Sequence, residues 1–324
     1  MTRSETVNAD PTCPACGEPV RPGWKICPAC EGPLSPPACP RCGAEVRPHW
    51  RRCPECEAPL VCADCGRRLA AGEAACPQCR PAGPAAADTT WTEPVTGMVF
   101  VRVPGGTFPM GDGFGDGVEN ETPVHEVRLD AFHIARTPVT QAEWRRLMPA
   151  NPSRFEGADR PVEQVSWADV AAFLAALDRA SGGAGRRFDL PTEAQWEYAA
   201  RSGGRAERWA GGDPVDALAW TEANSGGASR PVGRLRPNGL GLYDMSGNVW
   251  EWCRDAFRAD AYRRHAAADP LVSPVGGDRV DRVIRGGSWN LDAWSARCAR
   301  RFAYPEDFLG PALGFRVVMT VGDG

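Results

Sequence analysis

The spacing of apolar residues predicts three helices between residues 140 and 200. Val170, Phe173, Leu174 and Leu177 follow one another at positions i, i+3, i+4 and i+7, which places all four on one helix face. The start of a helix is marked by a capping box, in which a hydroxyl and a side chain three positions later satisfy two free backbone N–H groups. Such boxes occur at Ser166 with Asp169, at Thr140 with Glu143 and at Thr192 with Gln195.

Short apolar runs predict strands, and the rest of this part of the chain is typical of loops. The predicted strands are Met98–Val103, Val124–Leu129, Arg282–Arg285 and Phe315–Val321. Glycine-rich segments such as Gly111–Gly117 separate them. Few long elements and many loops indicate an α+β domain with little regular secondary structure. We place this domain at residues 95–322, which is long enough for one substantial core.

Composition excludes several classes of protein. The chain has 324 residues and is 43% hydrophobic, which excludes wholesale disorder, and its formal net charge of −4 provides no basic field for a polyanion. No apolar run reaches the roughly 18 residues that span a bilayer, and no apolar leader follows Met1. We therefore expect a cytoplasmic protein without membrane contact. Lys25 is the single lysine among 37 basic residues, a bias typical of a GC-rich bacterial genome.

Twelve of the 14 cysteines lie between residues 13 and 79 and repeat one spacing three times. Each unit has the form CxxC-x10-CxxC, in which two tight turns bring four thiolates onto one metal ion. We interpret the units as three tandem zinc ribbons with structural zinc, while disulfide bridges are the alternative that a reducing cytosol disfavours. The predicted zinc ligands are Cys13, Cys16, Cys27, Cys30, Cys39, Cys42, Cys53, Cys56, Cys62, Cys65, Cys76 and Cys79.

These units divide the first part of the chain. We predict a disordered tail at 1–12, ribbons at 13–30, 39–56 and 62–80, and a Pro/Ala/Gly linker at 81–94. Acidic and basic residues nearly balance across this region, and a small basic and aromatic cluster is formed by Arg47, Trp50, Arg51 and Arg52. Protein docking is the favoured role of the ribbons, and nucleic-acid binding is the alternative.

Four segments of the second domain carry long motifs in a fixed order. They are Pro104–Gly111 (PGGTFPMG), Leu190–Arg201 (LPTEAQWEYAAR), Asn238–Trp252 (NGLGLYDMSGNVWEW) and Arg285–Trp289 (RGGSW), followed by Arg297 and Gly314–Arg316. Their order and spacing resemble the formylglycine-generating enzyme, or sulfatase-modifying factor, family. The resemblance implies a fold related to C-type lectins. It also implies oxidation of a sulfatase-peptide cysteine to formylglycine, with O2 and with copper held by two cysteines.

The chain departs from that family at the two active cysteines, which are expected five positions apart just after the Gly-Gly-Ser-aromatic motif. Residues 290–296 (NLDAWSA) contain no cysteine. We interpret Cys253 and Cys298 as small core residues, and a copper site shared by the two is the alternative. Copper is therefore not expected, and these two cysteines are the only catalytic candidates.

The resemblance also implies a calcium site at the third motif. The matching positions are Asp244, Gly247, Val249 and Glu251, where two carboxylates and backbone carbonyls form an all-oxygen set that suits Ca²⁺. The alternative is that both carboxylates cap turns or pair with arginine. A second family calcium near Asn224 is not expected, because the loop that follows has no carboxylate.

The segment from Asn290 to Ala312 lies near the active-site face in the family's fold. Exposed side chains there suit ligand binding, while the alternative places most of them in the core. The candidates are Trp289, Asn290, Asp292, Trp294, Arg297, Phe302 and Tyr304. We therefore expect a pseudoenzyme that binds a ligand or protein and serves as an adaptor. The alternative is an active formylglycine-generating oxidase or a related tailoring enzyme acting on a protein or peptide cysteine.

Overall fold

A computed structural model describes residues 90–321, apart from 182, 184 and 276–279, together with Pro19. The chain divides into two compact units, Met1–Pro84 and Ala85–Gly324, and the fold that follows belongs to the second. The predicted tail, the twelve ribbon cysteines and the linker up to residue 89 lie outside the described residues. In the described part of the chain, no helix has the length and apolar character needed to cross a membrane.

Eleven strands are found in the described residues. In chain order they are β1 Thr90–Thr92, β2 Val99–Val103, β3 Gly106–Met110, β4 His125–Leu129, β5 Phe132–Ala135, β6 Arg186–Asp189, β7 Trp250–Ala256, β8 Asp281–Arg285, β9 Arg301–Pro305, β10 Leu313–Phe315 and β11 Val318–Val321. One antiparallel sheet has the order β1-β2-β5-β11-β6. A second sheet has the order β10-β7-β8-β9, in which only β10 and β7 are parallel, and β3 pairs with β4 alone.

The four predicted strands are present, but one of them is divided. The run Phe315–Val321 supplies the end of β10 in one sheet and all of β11 in the other. Arg316, whose side chain is fully buried, lies between the two strands. The predicted linker is also too long, because Thr90 pairs with Val101 and Thr92 with Val99. The folded domain therefore begins before residue 95.

The three predicted helices are confirmed as α1 Gln141–Trp144, α2 Trp167–Ser181 and α3 Glu193–Ala200. The boxes at Thr140 and Thr192 are complete, with each side chain accepting from the backbone N–H three positions later. Ser166 and Asp169 exchange the same bonds at 2.9 and 3.1 Å. All four apolar residues predicted for one face of α2 are buried. The local signals for helices are therefore reliable in this chain.

Two apolar clusters fill the domain. One draws residues from both sheets and from α2, and its centre is aromatic. There the rings of Trp144 and Phe173 stack with centroids 5.2 Å apart, and Phe315 meets both of them edge-on. The other cluster packs α3 against β3 and β4, with Trp196 among its buried residues. The end of α3 therefore lies against the apolar interior, close to the strands that carry the candidate site.

Candidate functional site

The chain that follows β8 is held against the third motif by main-chain hydrogen bonds. Trp289 N donates to Asn248 O at 2.8 Å, and Gly247 N donates to Gly286 O at 2.7 Å. Gly247 has φ +78°, and a Cβ at this position would lie 2.3 Å from Trp220 O. Only glycine permits that close approach. The motifs that contain Gly247 and Trp289 therefore lie side by side in the fold.

Residues 290–296 form a turn and one short 3-10 helix, Ala293–Ala296. Asp292 caps that helix, since its carboxylate accepts from Ser295 N at 2.9 Å and from Ser295 Oγ at 2.8 Å. Leu291 packs against the apolar core, and Ala296 is buried. No side chain of this segment is a thiol. The segment therefore has none of the soft ligands that copper(I) prefers.

Cys253 and Cys298 are both free and fully buried in the same apolar cluster. Burial raises the pKa of Cys298 to about 12 and the pKa of Cys253 well above its ordinary value. Both side chains are therefore neutral thiols at neutral pH and do not act as free nucleophiles. Within the described ranges, no group of three or more His, Cys, Asp or Glu side chains is placed to hold a metal ion.

Glu251 of the predicted calcium site is occupied by protein donors. Arg316 Nε donates to its Oε2 and Arg316 Nη2 to its Oε1, both at 2.6 Å. Trp196 Nε1 adds a third bond to Oε2 at 2.7 Å. An ionised carboxylate has about four acceptor positions, so three are filled here. The alternative interpretation, a carboxylate paired with arginine, therefore describes Glu251.

Asp244 has a different environment. It is buried, and among the described residues no arginine or histidine nitrogen lies within 4.0 Å of its carboxylate, whose partners are Gly233 N at 2.8 Å and Asn248 Nδ2 at 3.3 Å. Burial raises its pKa to about 6. A buried carboxylate without a cation fits one ligand of a calcium ion. Asn224 does not offer another, because its side chain is bonded to Thr221 N and Ala219 O.

A cluster of buried charges lies against residues 298–300, which follow the thiol-free segment 290–296. Arg285, at the end of β8, donates from Nη2 to Glu197 Oε2, and its Nη1 lies 3.6 Å from Glu193 Oε1. Arg301, at the start of β9, binds both oxygens of Glu193 at 2.6 and 2.8 Å. Although burial alone would raise both values, Arg301 and Arg285 hold the pKa of Glu193 below the ordinary value, and Arg201 and Arg285 do the same for Glu197. We call Glu193, Glu197, Arg285 and Arg301 the ion cluster.

Arg285 of the ion cluster also binds the main chain of residues 298–300. Arg285 Nη1 donates to the carbonyls of Ala299 and Arg300 at 2.9 and 2.8 Å, and Nη2 donates to the carbonyl of Cys298 at 2.8 Å. One side chain thus holds three successive carbonyl groups. The position of residues 298–300 is therefore set from inside the protein.

Arg297 is not exposed to a ligand, contrary to the sequence prediction. Its side chain is 2% exposed and binds Glu121 through two hydrogen bonds at 2.8 and 3.2 Å. Its guanidinium carbon lies 4.5 Å from the centroid of the Trp294 ring. Asp292 is exposed but caps its own helix. Arg297 is therefore a structural residue that supports Trp294 from below.

The other predicted ligand-binding residues lie partly or fully at the surface. Asn290 is exposed, and Trp289 is half-buried, with its ring edge-on to Phe155 at 5.3 Å. Phe302 is 41% exposed and contacts both Trp250 and Tyr304. Trp289 and Phe302 therefore contact different aromatic neighbours.

We call Trp294, Arg300, Phe302, Tyr304 and Phe308 the β9 surface. The Arg300 guanidinium lies 4.6 Å from the Trp294 ring and 5.8 Å from the Phe302 ring, and Tyr304 stacks on Phe308 at 3.8 Å. These five side chains form one continuous row. Our candidate set omitted Arg300 and Phe308, and because Tyr304 lies in β9 and Phe308 just after it, no periodic spacing indicates their stack.

Replacement of Arg285 by Met is expected to lower the free energy of unfolding by about 3–5 kcal/mol, because it leaves Glu193 and Glu197 buried with less compensating charge. The matched control is Arg128→Met, since Arg128 pairs with Asp130 at 2.7 Å but its side chain is 55% exposed. The control substitution should lower the free energy of unfolding by no more than about 1 kcal/mol. Urea denaturation followed by tryptophan fluorescence measures both. Equal losses in the two variants would contradict the importance of the ion cluster.

Glu163 allows a test of the electrostatics by pH. It is fully buried, Oε1 accepts from Phe155 N at 2.8 Å, and Oε2 has no partner among the described residues. Burial raises its pKa from the ordinary 4.5 to about 7, so its contribution to stability is present below 4.5 and is lost as pH rises through 7. We expect Glu163→Gln to raise the unfolding free energy at pH 8 and change it little at pH 5.

The same measurement on Glu126→Gln provides the control, because Glu126 is exposed on β4. Its unfolding free energy should follow that of the unmodified chain at both pH values. If Glu163→Gln changes the unfolding free energy equally at pH 5 and pH 8, the pKa of Glu163 is not raised in the folded protein.

Both the first and the second part of the chain match known families. Residues 85–321 match the family described as the sulfatase-modifying factor enzyme 1-like domain, and residues 13–57 match the double zinc ribbon. The zinc-ribbon prediction is thus confirmed for 13–57. The third predicted ribbon, 62–80, lies outside that match.

Individual relatives agree with the family match. The chain is 35% identical over 287 residues to the formylglycine-generating enzyme of Streptomyces coelicolor, which covers 67% of this chain and 87% of that one. It is 29% identical to the chaperone protein LppX of Paenibacillus barcinonensis, across 60% and 82% of the two chains. Treponema denticola variable protein 1 has a similar structure, with a TM-score of 0.63, 29% identity and coverage of 72% and 99%. The predicted α+β, C-type lectin-like fold is confirmed, and the chain belongs to the sulfatase-modifying factor family.

Proposed function

We propose that this chain is a non-catalytic adaptor, which recognises a protein or peptide through its second domain. The observation that carries the proposal is the thiol-free segment 290–296, where a capped 3-10 helix follows the Gly-Gly-Ser-Trp motif. The family resemblance assigns copper to two cysteines in that segment. Without them, the oxidation of a substrate cysteine has no copper ligands at that place.

The state of the two remaining cysteines supports the same proposal. Both are enclosed by apolar side chains, and burial keeps both protonated at neutral pH. The carbonyl of Cys298 is also bound to Arg285 of the ion cluster. A metal that reached these thiols would have to displace part of the core. The two cysteines are therefore best explained as small packing residues.

The β9 surface is the proposed contact for the partner. Its members are aromatic residues and an arginine, which are the residue types that contribute most binding energy at protein interfaces. Leu309, which follows Phe308, is 56% exposed, so the apolar row continues beyond the stacked pair. The similarity to a protein named as a chaperone agrees with a protein-binding role. A protein or peptide with apolar side chains is therefore the proposed partner.

The zinc ribbons are proposed to dock a second protein in a reducing, cytoplasmic compartment. The double ribbon at 13–57 has eight cysteines, and the unit from Cys62 to Cys79 repeats their spacing. Four thiolates form a closed tetrahedral shell around zinc, which stabilises a small fold without taking part in chemistry. We therefore propose three structural zinc ions. Nucleic acid is the alternative partner of the ribbons.

One calcium ion is proposed at Asp244, with the carbonyl groups of Gly247 and Val249 as further ligands. The buried carboxylate of Asp244 has no cation partner in the described part of the chain. Glu251 is left out of this set, because Arg316 and Trp196 already bind it. The ion would neutralise a buried charge next to the third motif.

Metal content tests the proposed sites. Elemental analysis of the purified full chain in calcium-containing buffer should give about three zinc ions and one calcium ion per chain. The double replacement Cys62→Ser, Cys65→Ser should lower zinc to two without changing calcium, and Asp244→Asn should remove calcium without changing zinc. Two zinc ions in the unmodified chain would contradict the third ribbon, and the absence of calcium would contradict the site at Asp244.

Catalysis is tested directly with a sulfatase-type cysteine peptide. The full chain, incubated with the peptide, copper, O2 and a reductant, is expected to give no product with the mass of formylglycine, because both thiols are buried and protonated. The Streptomyces relative named above is the positive control under the same conditions. Mass spectrometry of the peptide gives the result.

Formation of formylglycine would support the alternative, an active oxidase, and would overturn the adaptor proposal if it depended on a cysteine of the second domain. Cys298→Ser and Cys253→Ser separate the two candidates, and circular dichroism shows whether each variant is folded. A peptide with serine in place of the cysteine controls for unrelated mass changes.

The β9 surface is tested with a displayed library of random peptides. Peptides selected on the full chain should lose at least about tenfold in affinity to the double variant Phe302→Asp, Leu309→Asp, because a charge would replace each apolar contact. Val95→Asp is the matched control, since Val95 is 38% exposed in a turn before β2. Selected peptides that bind all three proteins equally, or a selection with no enrichment, would contradict the proposed surface.

A further inference from the structure

We infer that a cavity of about 320 Å³ beside the 3-10 helix Ala261–Arg263 binds a small organic anion, namely a carboxylate with a short apolar chain. The cavity lies in the connection between β7 and β8. Neither the thiol-free segment nor the β9 surface contributes to its lining. The inference therefore concerns a second binding site, independent of the adaptor function proposed above.

The cavity has an apolar wall and a basic rim. Ala261, Leu271 and Val272 provide apolar surface, and Leu271 is 38% exposed although it is a large apolar side chain. Arg258 and Arg264 also line the cavity. A volume near 300 Å³ is in the lower part of the range for small-molecule sites, which combine apolar walls with a few polar groups. The lining thus suits a ligand with one charged and one apolar part.

The charge of the rim is positive. Arg258 and Arg264 have side chains that are 41% and 68% exposed. Asp260 lies 3.9 Å from Arg258 and 2.8 Å from Arg264, so one carboxylate partly compensates two guanidinium groups. No acidic side chain is part of the described lining. An anion would therefore meet about one uncompensated positive charge, in the forked geometry that favours carboxylates.

The walls of the cavity are already fixed by the interior. Val272 N donates to the buried carboxylate of Asp255 at 2.8 Å, and Ala256 N donates to Val272 O at 2.9 Å. Arg301 Nη1 of the ion cluster donates to the carbonyl of Arg258 at 3.4 Å. A ligand would thus enter a preformed site, and binding would lose little free energy to ordering the protein.

His265 closes the cavity without adding a charge to it. Its Nδ1 lies 3.0 Å from Nε2 of His125, so one imidazole donates to the other. Burial lowers the pKa of His265 to about 4, which keeps the ring neutral at pH 7. The attraction for an anion therefore comes from Arg258 and Arg264, and it should not change between pH 6 and pH 8.

Octanoate is the probe for this site, because it combines a carboxylate with an apolar chain. Ligand-observed NMR titration of the full, zinc-loaded chain should show saturable binding of octanoate. Acetate lacks the apolar chain and octan-1-ol lacks the charge, so each should bind at least about tenfold more weakly, a difference of about 1.4 kcal/mol. Absence of saturable octanoate binding, or equal binding of octan-1-ol, would overturn the inference.

Variants locate the binding within the protein. Arg264→Gln removes an exposed charge of the rim and should weaken octanoate binding about tenfold, and Leu271→Asp should abolish it. Arg263→Gln is the matched control, because Arg263 is the exposed neighbour that does not line the cavity. The Arg263→Gln variant should bind octanoate with the same affinity as the unmodified chain. If Arg264→Gln and Arg263→Gln bind equally, octanoate is bound elsewhere and the inference is wrong.

Discussion

Four ionised side chains that are out of contact with water hold the second domain together. Glu193 and Glu197 come from α3, Arg285 ends β8 and Arg301 begins β9, and all four are fully buried. Removal of such ions from water costs several kcal/mol each, and only complete pairing offsets that cost. The ion cluster therefore favours the observed arrangement of the helix and the two strands, in which each carboxylate faces a guanidinium group. A domain with few long elements needs a constraint of this kind, because its loops provide few repeated backbone bonds.

The ion cluster also explains why the β9 surface can remain exposed. Arg285 holds the carbonyls of Cys298, Ala299 and Arg300 from the inner side. Phe302, whose side chain is 41% exposed, is then not required to hold the segment in place. Side chains of a segment that is fixed from beneath are free to serve recognition.

Elements with a local signal were predictable from the sequence, whereas features that depend on a distant partner were not. The capping boxes and the apolar face of α2 are each determined within fifteen residues, and all are present. By contrast, β7 is buried on both faces and shows no alternation. Arg297 resembled a ligand-binding residue because its partner, Glu121, lies 176 positions away. Glu251 resembled a metal ligand for the same reason, since Arg316 follows 65 positions later.

The pKa values of the buried carboxyl groups depend on partners that the sequence spacing does not reveal. Glu193 and Glu197 have lowered pKa values because guanidinium groups reach them, so their stabilisation is present above the ordinary pKa of 4.5 and is lost as pH falls through the lowered values. Asp255 lacks such a partner within 4.0 Å in the described part of the chain, and burial raises its pKa to about 7. The contribution of Asp255 to stability therefore changes with pH in the opposite direction and is lost as pH rises through 7. Buried carboxyl groups in one core thus act in opposite directions, and the deciding factor is whether a guanidinium group lies against them, as Arg301 does for Glu193 and Arg201 for Glu197.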